Sequence, residues 1–228
     1  MTQDTAYKMF IQFLKKYHLL PVILLAILLL ASCKNDNPIG KWENGIIPYY
    51  LKGNFAAEDI AYIEQGMAKW EAIANVDFQR VTPRAGAYQI EKIDEDKWQS
   101  SVGENNSTCY MIFGNGQDPL QHIIHELGHG LGLLHEHQRP DRDNYIDIYY
   151  SNILSAFQFN FDKIDNPLII ESDYAYDYHS VMHYGESAFS SNGAITIEPK
   201  DSSQVLEREL ISDIDAAKVQ YIYGLPLD

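Results

Sequence analysis

Between Ile46 and Phe113 the hydrophobic positions switch between the two periods that secondary structure imposes. Ile46, Ile47, Tyr49, Tyr50 and Leu51 form a strand-like apolar run. Ile60, Ile63, Met67, Trp70 and Ile73 then recur at helical spacing, which predicts a long helix within Phe55 to Ala74. Val76, Phe78 and Val81 alternate with polar residues up to Pro83, and Tyr88, Ile90 and Ile93 alternate again, the pattern of half-buried strands. Cys109 to Phe113 is a short apolar run between Asn-Asn-Ser-Thr and Gly-Asn-Gly, which reads as a buried or edge strand. Asp118-Pro119 opens a second helix, with proline in the first turn where its missing N–H costs nothing. Beyond Asp143 the chain is rich in Tyr, Asn, Ser and Asp and loses its period. Ser212 to Tyr223 then gives a last helix, with Ser212 and Asp215 as a capping pair and Gly224 as its stop. Strands and helices thus come first, an irregular half follows, and a helix closes the chain.

The first 32 residues follow another pattern. Lys8, Lys15 and Lys16 precede an unbroken apolar run, Leu19 to Ala31, that ends in the small residues Ala31 and Ser32: a basic region, an apolar region and a cleavage site. Thirteen apolar residues including Pro21 fall short of the roughly 20 that a spanning helix needs, so the segment predicts export and not a transmembrane anchor. Leu30-Ala31-Ser32-Cys33 resembles the lipobox of bacterial lipoproteins, in which the cysteine carries the lipid; the alternative is an ordinary secretory leader with an incidental cysteine. The expected organisation is a leader over 1–32, a short tether over 33–41 broken by Pro38 and Gly40, and one domain over 42–228.

Composition narrows the function. The chain of 228 residues has a net charge of −15, and without the leader 14 basic face 31 acidic residues, net −17 with histidine neutral. Nucleic acid is excluded as a partner, because phosphate binding needs a basic face. With Cys33 lipidated, Cys109 is the only remaining thiol, so no intramolecular disulfide forms and the core holds the fold unaided.

The chemistry lies in His125-Glu126-Leu127-Gly128-His129-Gly130-Leu131-Gly132-Leu133-Leu134-His135. Residues four apart share a helix face, so His125 and His129 can present ring nitrogens to one ion about 2.0–2.1 Å away. A straight helix would carry His135 too far along its axis to reach the same ion. The helix therefore has to stop and turn, and Gly132 supplies a left-handed residue for the turn. Three neutral imidazoles leave zinc an open position for water, as in a catalytic site, and Glu126 is placed to take that water's proton. A bare HExxH also arises by chance on helices; Gly132 and His135 at their offsets remove that reading. His122, His137, His179 and His183 lack such spacing and read as ordinary polar residues.

HELGHGLGLLHEHQRPDRDNYI resembles the zinc signature of the astacins, a branch of the metzincin metalloproteases. Glu136 follows the third histidine as in that family, and Arg139, Asp141, Arg142, Asp143, Asn144 and Tyr145 match the run behind it. Ser180-Val181-Met182-His183-Tyr184-Gly185 resembles the Met-turn. By itself that segment reads as core packing. With the resemblance, Met182 is the apolar floor beneath the metal, and Tyr184 is a further zinc ligand that swings off to bind the oxyanion. Weaker matches at Trp42, Ile47-Pro48-Tyr49 and the last helix extend the likeness over residues 42 to 224.

The resemblance implies an α+β, metzincin-like fold: an upper lobe of twisted mixed sheet with two long helices, an irregular lower lobe with a C-terminal helix, and an active-site cleft between them. It implies a zinc endopeptidase with one Zn2+ per chain, acting on protein or peptide substrates; the lipobox-like end of the leader, separately, implies attachment to a membrane through a lipid on Cys33. A non-catalytic surface binding module and a zinc peptidase acting on cell-wall or small peptides are the alternatives. The chain departs from the family in three respects. It cannot make the two usual disulfides. No room for a pro-segment is expected between Cys33 and Trp42. Lastly, family members bury the mature amino terminus against the glutamate after the third histidine, which a lipidated Cys33 could hardly do, so either Glu136 has another partner or the export reading is wrong.

Overall fold

The computed structural model describes residues 40–226, except 106, 107, 167 and 209. The expected leader with Cys33, and the tether as far as residue 39, lie outside the described residues.

Strand β1 (Ile46–Lys52) is followed by helix α1 (Ala57–Glu71), β2 (Asp77–Arg80), β3 (Tyr88–Lys92), the short β4 (Gln99–Ser100), β5 (Tyr110–Phe113) and helix α2 (Pro119–Gly130). The five strands form one sheet in the order β2-β1-β3-β5-β4, parallel except for the antiparallel edge pair β4–β5. Helix α1 begins two residues later than the start of the expected window, because the Asp59 carboxylate accepts the Ala56 N–H at 2.7 Å and caps the first turn there.

Both helices bury an apolar face against the sheet and against each other. Ile63, Met67 and Trp70 of α1 meet Ile123, Ile124 and Leu127 of α2, all in one core cluster with Ile47, Tyr88, Ile90 and Met111. Burying each such side chain stabilises by about 1.5–3 kcal/mol relative to leaving it in water. Gly66 permits the close crossing, since a Cβ there would lie 2.7 Å from Ile123 Cγ2. Trp70 Nε1 donates to Ile124 O at 3.1 Å, so the largest side chain in the contact leaves no polar atom unpaired.

The second half is a succession of short 3-10 turns, Glu136–Gln138, Arg142–Asn144, Tyr150–Asn152, Ser155–Phe161 and Glu171–Asp173. A two-stranded antiparallel ladder, β6 (Ile146–Ile148) with β7 (Ile197–Pro199), and a small cluster of Ile146, Ile153, Phe161, Tyr176 and Ile197 give this half its own apolar centre. Helix α3 (Asp213–Tyr223) closes the chain. Its expected capping pair is reciprocal: Asp215 N donates to Ser212 Oγ at 2.9 Å and Ser212 N to Asp215 Oδ2 at 3.2 Å. Cys109 is a free, buried thiol.

Candidate metal centre

Helix α2 is buried over its whole second half, Ile123 to Gly130, and delivers His125, Glu126 and His129 to one region. It ends in a Schellman motif: Gly132 N donates to His129 O at 2.8 Å and Leu133 N to Gly128 O at 3.0 Å. Gly132 has φ +104°, a left-handed conformation that glycine adopts without strain, and the Leu168 side chain packs against it. The reversal brings His135 back over the helix, and the candidate ligand atoms of His125, His129 and His135 lie within 4.8 Å of one another.

Each ring is oriented by its other nitrogen. His125 Nδ1 lies 2.7 Å from Val181 O, His129 Nδ1 2.8 Å from Leu133 O, and His135 Nδ1 2.9 Å from Gln138 Oε1. These oxygens only accept, so each Nδ1 carries the proton and each Nε2 offers a lone pair. His129 Nε2 and His135 Nε2 face each other at 3.1 Å, a repulsive contact unless a cation lies between them. Two nitrogens bound tetrahedrally at 2.0–2.1 Å would be roughly 3.3 Å apart. Burial holds the three imidazoles neutral: His129 is pulled down to about 4, and His125 and His135 fall well below the usual histidine range.

Glu126 is buried, its pKa is pushed up to about 8 by burial alone, and its Oε2 has no hydrogen-bond partner. A buried carboxyl with one orphan oxygen beside three inward-facing imidazoles fits a divalent cation with water, and the all-nitrogen donor set fits zinc. Beneath the helix, Met182 packs so closely that a Cβ on Gly128 would lie 2.8 Å from its Sδ. The Tyr184 ring stands 4.5 Å from that of His135 and stacks at 4.0 Å on His137. Burial pushes the Tyr184 phenol up to about 12, so it keeps its proton at neutral pH.

A family model described as Astacin, a peptidase family, matches residues 34–224. The chain belongs to the astacin family. It is 31% identical over 188 residues to zinc metalloproteinase nas-4 of Caenorhabditis elegans, covering 82% of this chain and 60% of that protein. To bone morphogenetic protein 1 of Xenopus laevis it is 32% identical over 208 residues, covering 84% and 28%. High choriolytic enzyme 1, a hatching enzyme zinc-protease of Oryzias latipes, superposes with a TM-score of 0.72 at 29% identity over 84% of this chain and 96% of that one. The chain spans from 19% to 60% of the length of the first curated relatives it matches. The metzincin architecture expected from the sequence is therefore the fold of this astacin domain.

In the domain Glu136 does have another partner. Its Oε1 accepts from Arg139 Nη1 at 2.8 Å and from Asp177 N at 2.9 Å, and its Oε2 accepts from Lys218 Nζ at 2.5 Å. The histidines that read as ordinary polar residues sit elsewhere. His122 stacks on Trp98, His179 Nδ1 lies 2.9 Å from Glu207 O, and His183 Nε2 lies 2.7 Å from Tyr176 OH. His137 is nearer the centre: its ring is the platform under Tyr184, held by Asn160 O at 3.1 Å from Nε2. Arg208, in the irregular half, has no signal in the local sequence. Gln121 Nε2 on α2 donates to its carbonyl at 3.4 Å, and its guanidinium is close enough to His122, His125 and His183 to disfavour their protonated forms. Among the described residues no carboxylate pairs with it. No helix among the described residues is long and apolar enough to cross a membrane.

Proposed function

We propose that this chain is an exported zinc endopeptidase that hydrolyses peptide bonds in protein substrates, with residues 1–32 as leader, 33–41 as tether and 42–228 as the catalytic domain. The observation that carries the reading is the convergence of three Nε2 lone pairs from His125, His129 and His135, each fixed through its Nδ1, beside the orphan oxygen of Glu126.

Zinc held by His125, His129 and His135 would supply Lewis acidity, lowering the pKa of water and polarising a carbonyl at this site. The protein's own groups do the rest. Glu126 ionises beside a dication despite the burial that otherwise keeps it protonated, accepts the proton of the attacking water, and returns it to the departing amine. Tyr184, still protonated, donates a hydrogen bond to the developing oxyanion, its ring stacked on that of His137 at 4.0 Å. Met182 closes the floor with an apolar surface that excludes water from below.

The deciding experiment is cleavage of unfolded casein by the full chain, with and without a zinc chelator, alongside metal analysis. Activity that chelation abolishes and zinc restores, at about one zinc per chain, is the expected result. Glu126→Gln should retain the zinc and lose about 10²–10⁴-fold in kcat; near-normal turnover would refute the base assignment. Attachment to a membrane through Cys33 rests on the lipobox-like ending of the leader, and mass spectrometry of the amino-terminal peptide decides it: an unmodified cysteine leaves a secretory leader alone.

A further inference from the structure

Two of the three histidines at the centre are placed by helix α2, whereas His135 lies on a turn that has no regular hydrogen-bond ladder to hold it. Its immediate neighbour Glu136 joins three segments through one buried carboxylate. The Glu136 backbone N–H donates to Met182 O at 3.1 Å, tying the turn to the floor of the site. Its carboxylate gathers Arg139 from the same turn, Asp177 N from the approach to Met182, and Lys218 from α3. Both members of the Lys218–Glu136 pair are buried, at 4% and 1% exposure.

Lys218 is on the inward face of α3, one turn from Asp215, in a row with Val219, Ile222 and Tyr223. An apolar side chain there would pack without desolvating a charge. A buried ammonium is tolerated when it is paired and costly when its partner is removed. Asp215 on the same face accepts from Ser180 Oγ at 2.6 Å and from Val181 N at 2.9 Å. Helix α3 thus grips the segment that carries Met182 and, through Lys218, the turn that carries His135. Both oxygens of Glu136 are filled by groups of the domain itself.

We propose that Lys218 is a positioning residue for the metal centre: an internal cation that fixes Glu136 and through it the third histidine. The proposal rests on the reading of His135 as a zinc ligand.

The test uses the full chain and measures zinc affinity by competition with a chromophoric chelator, together with the denaturation midpoint. Lys218→Ala should weaken zinc binding about 10–100-fold, the range for removing a partner that orients a ligand. Propylammonium ions, which fit the space left by the side chain and restore the cation, should recover much of that affinity, while neutral propanol should not. Should Lys218→Ala fail to fold, the double variant Glu136→Gln with Lys218→Met removes both charges and avoids a buried unpaired carboxylate; it should fold and still bind zinc weakly. Wild-type affinity in Lys218→Ala or in the double variant overturns the proposal and leaves the zinc site standing. Equal recovery by propanol also overturns it, since the cation would then be immaterial. A wild-type chain that takes up no zinc overturns both.

Discussion

In the sheet-bearing half, His125, Glu126 and His129 ride on a helix whose neighbours are Trp70, Ile63, Met67 and the apolar side of a parallel sheet. In the irregular half, His135, Met182 and Tyr184 sit on turns whose neighbours are Glu136, Arg139, Arg142, Asp177, Asp215 and Lys218, all buried. The first arrangement is a backbone ladder braced by apolar burial, which is additive and forgiving. The second replaces the ladder by charged side chains that bond to backbone: Arg139 donates to Tyr174 O and Ala175 O at 3.0 Å, and Arg142 to His137 O at 2.9 Å and Phe161 O at 2.5 Å. Turns leave carbonyls without regular partners, and a guanidinium with five donors can collect several at once. The cost is fragility, because removing one charge strands its partners in a low-dielectric interior.

The largest expected effect tests that fragility. Arg139 is 2% exposed, holds Asp141 through two nitrogens at 2.9 and 2.8 Å, and holds Glu136 at 2.8 Å. Arg139→Met should destabilise by about 3–5 kcal/mol in urea denaturation and also weaken zinc binding. The matched change in the other half, Ile63→Ala at 1% exposure, should cost about 2–5 kcal/mol with zinc affinity nearly unchanged, since α2 keeps its own hydrogen bonds. Equal effects of the two variants on zinc affinity would break the comparison.

The same division decides what was legible in the sequence. The ligands on α2 and the turn at Gly132 are encoded within eleven residues, by a four-residue spacing and a glycine that must adopt positive φ, so local rules find them. Ser212 and Asp215 are legible as a cap for the same reason. The β6–β7 ladder joins three-residue strands some fifty residues apart, too short to show a period. Lys218 in a helix reads as a solvated residue, and only the fold shows that it faces inward. Arg208 and the stack of Tyr184 on His137 depend on which turns come together, which no local pattern records.

A middle-sized effect concerns Asp215, whose carboxyl is pushed up from an ordinary 3.8 to about 6, chiefly by burial. Between those pH values the folded protein keeps a proton that the unfolded chain releases. The stability from this group is therefore complete below about 4 and is lost as the pH rises through about 6. A shift of this size is worth on the order of 3 kcal/mol at most. Asp215→Asn cannot titrate, so the wild-type advantage over this variant should shrink by up to that amount between pH 4 and pH 7. A pH-independent difference would show that Asp215 stays ionised, and that its hydrogen bonds from Ser180, Val181 and Ser212 outweigh burial.

The smallest effect is expected where the sheet-bearing half has an ion pair of its own. Lys52 and Glu91 face each other as register partners on β1 and β3, with Nζ and Oε1 3.0 Å apart, but their side chains are 54% and 35% exposed. Water already solvates both charges, and holding two long side chains in one geometry offsets most of the attraction, so Lys52→Ala should change stability by no more than about 0.5 kcal/mol. The pair has nearly the same contact distance as Arg139 with Glu136, so distance cannot explain the contrast and burial must. Denaturation midpoints of Lys52→Ala and Arg139→Met, measured at low and at high salt, separate the two: the first should be near zero and screened by salt, the second large and nearly indifferent to it. A Lys52→Ala loss above about 1 kcal/mol would mean that ionic contacts brace both halves alike.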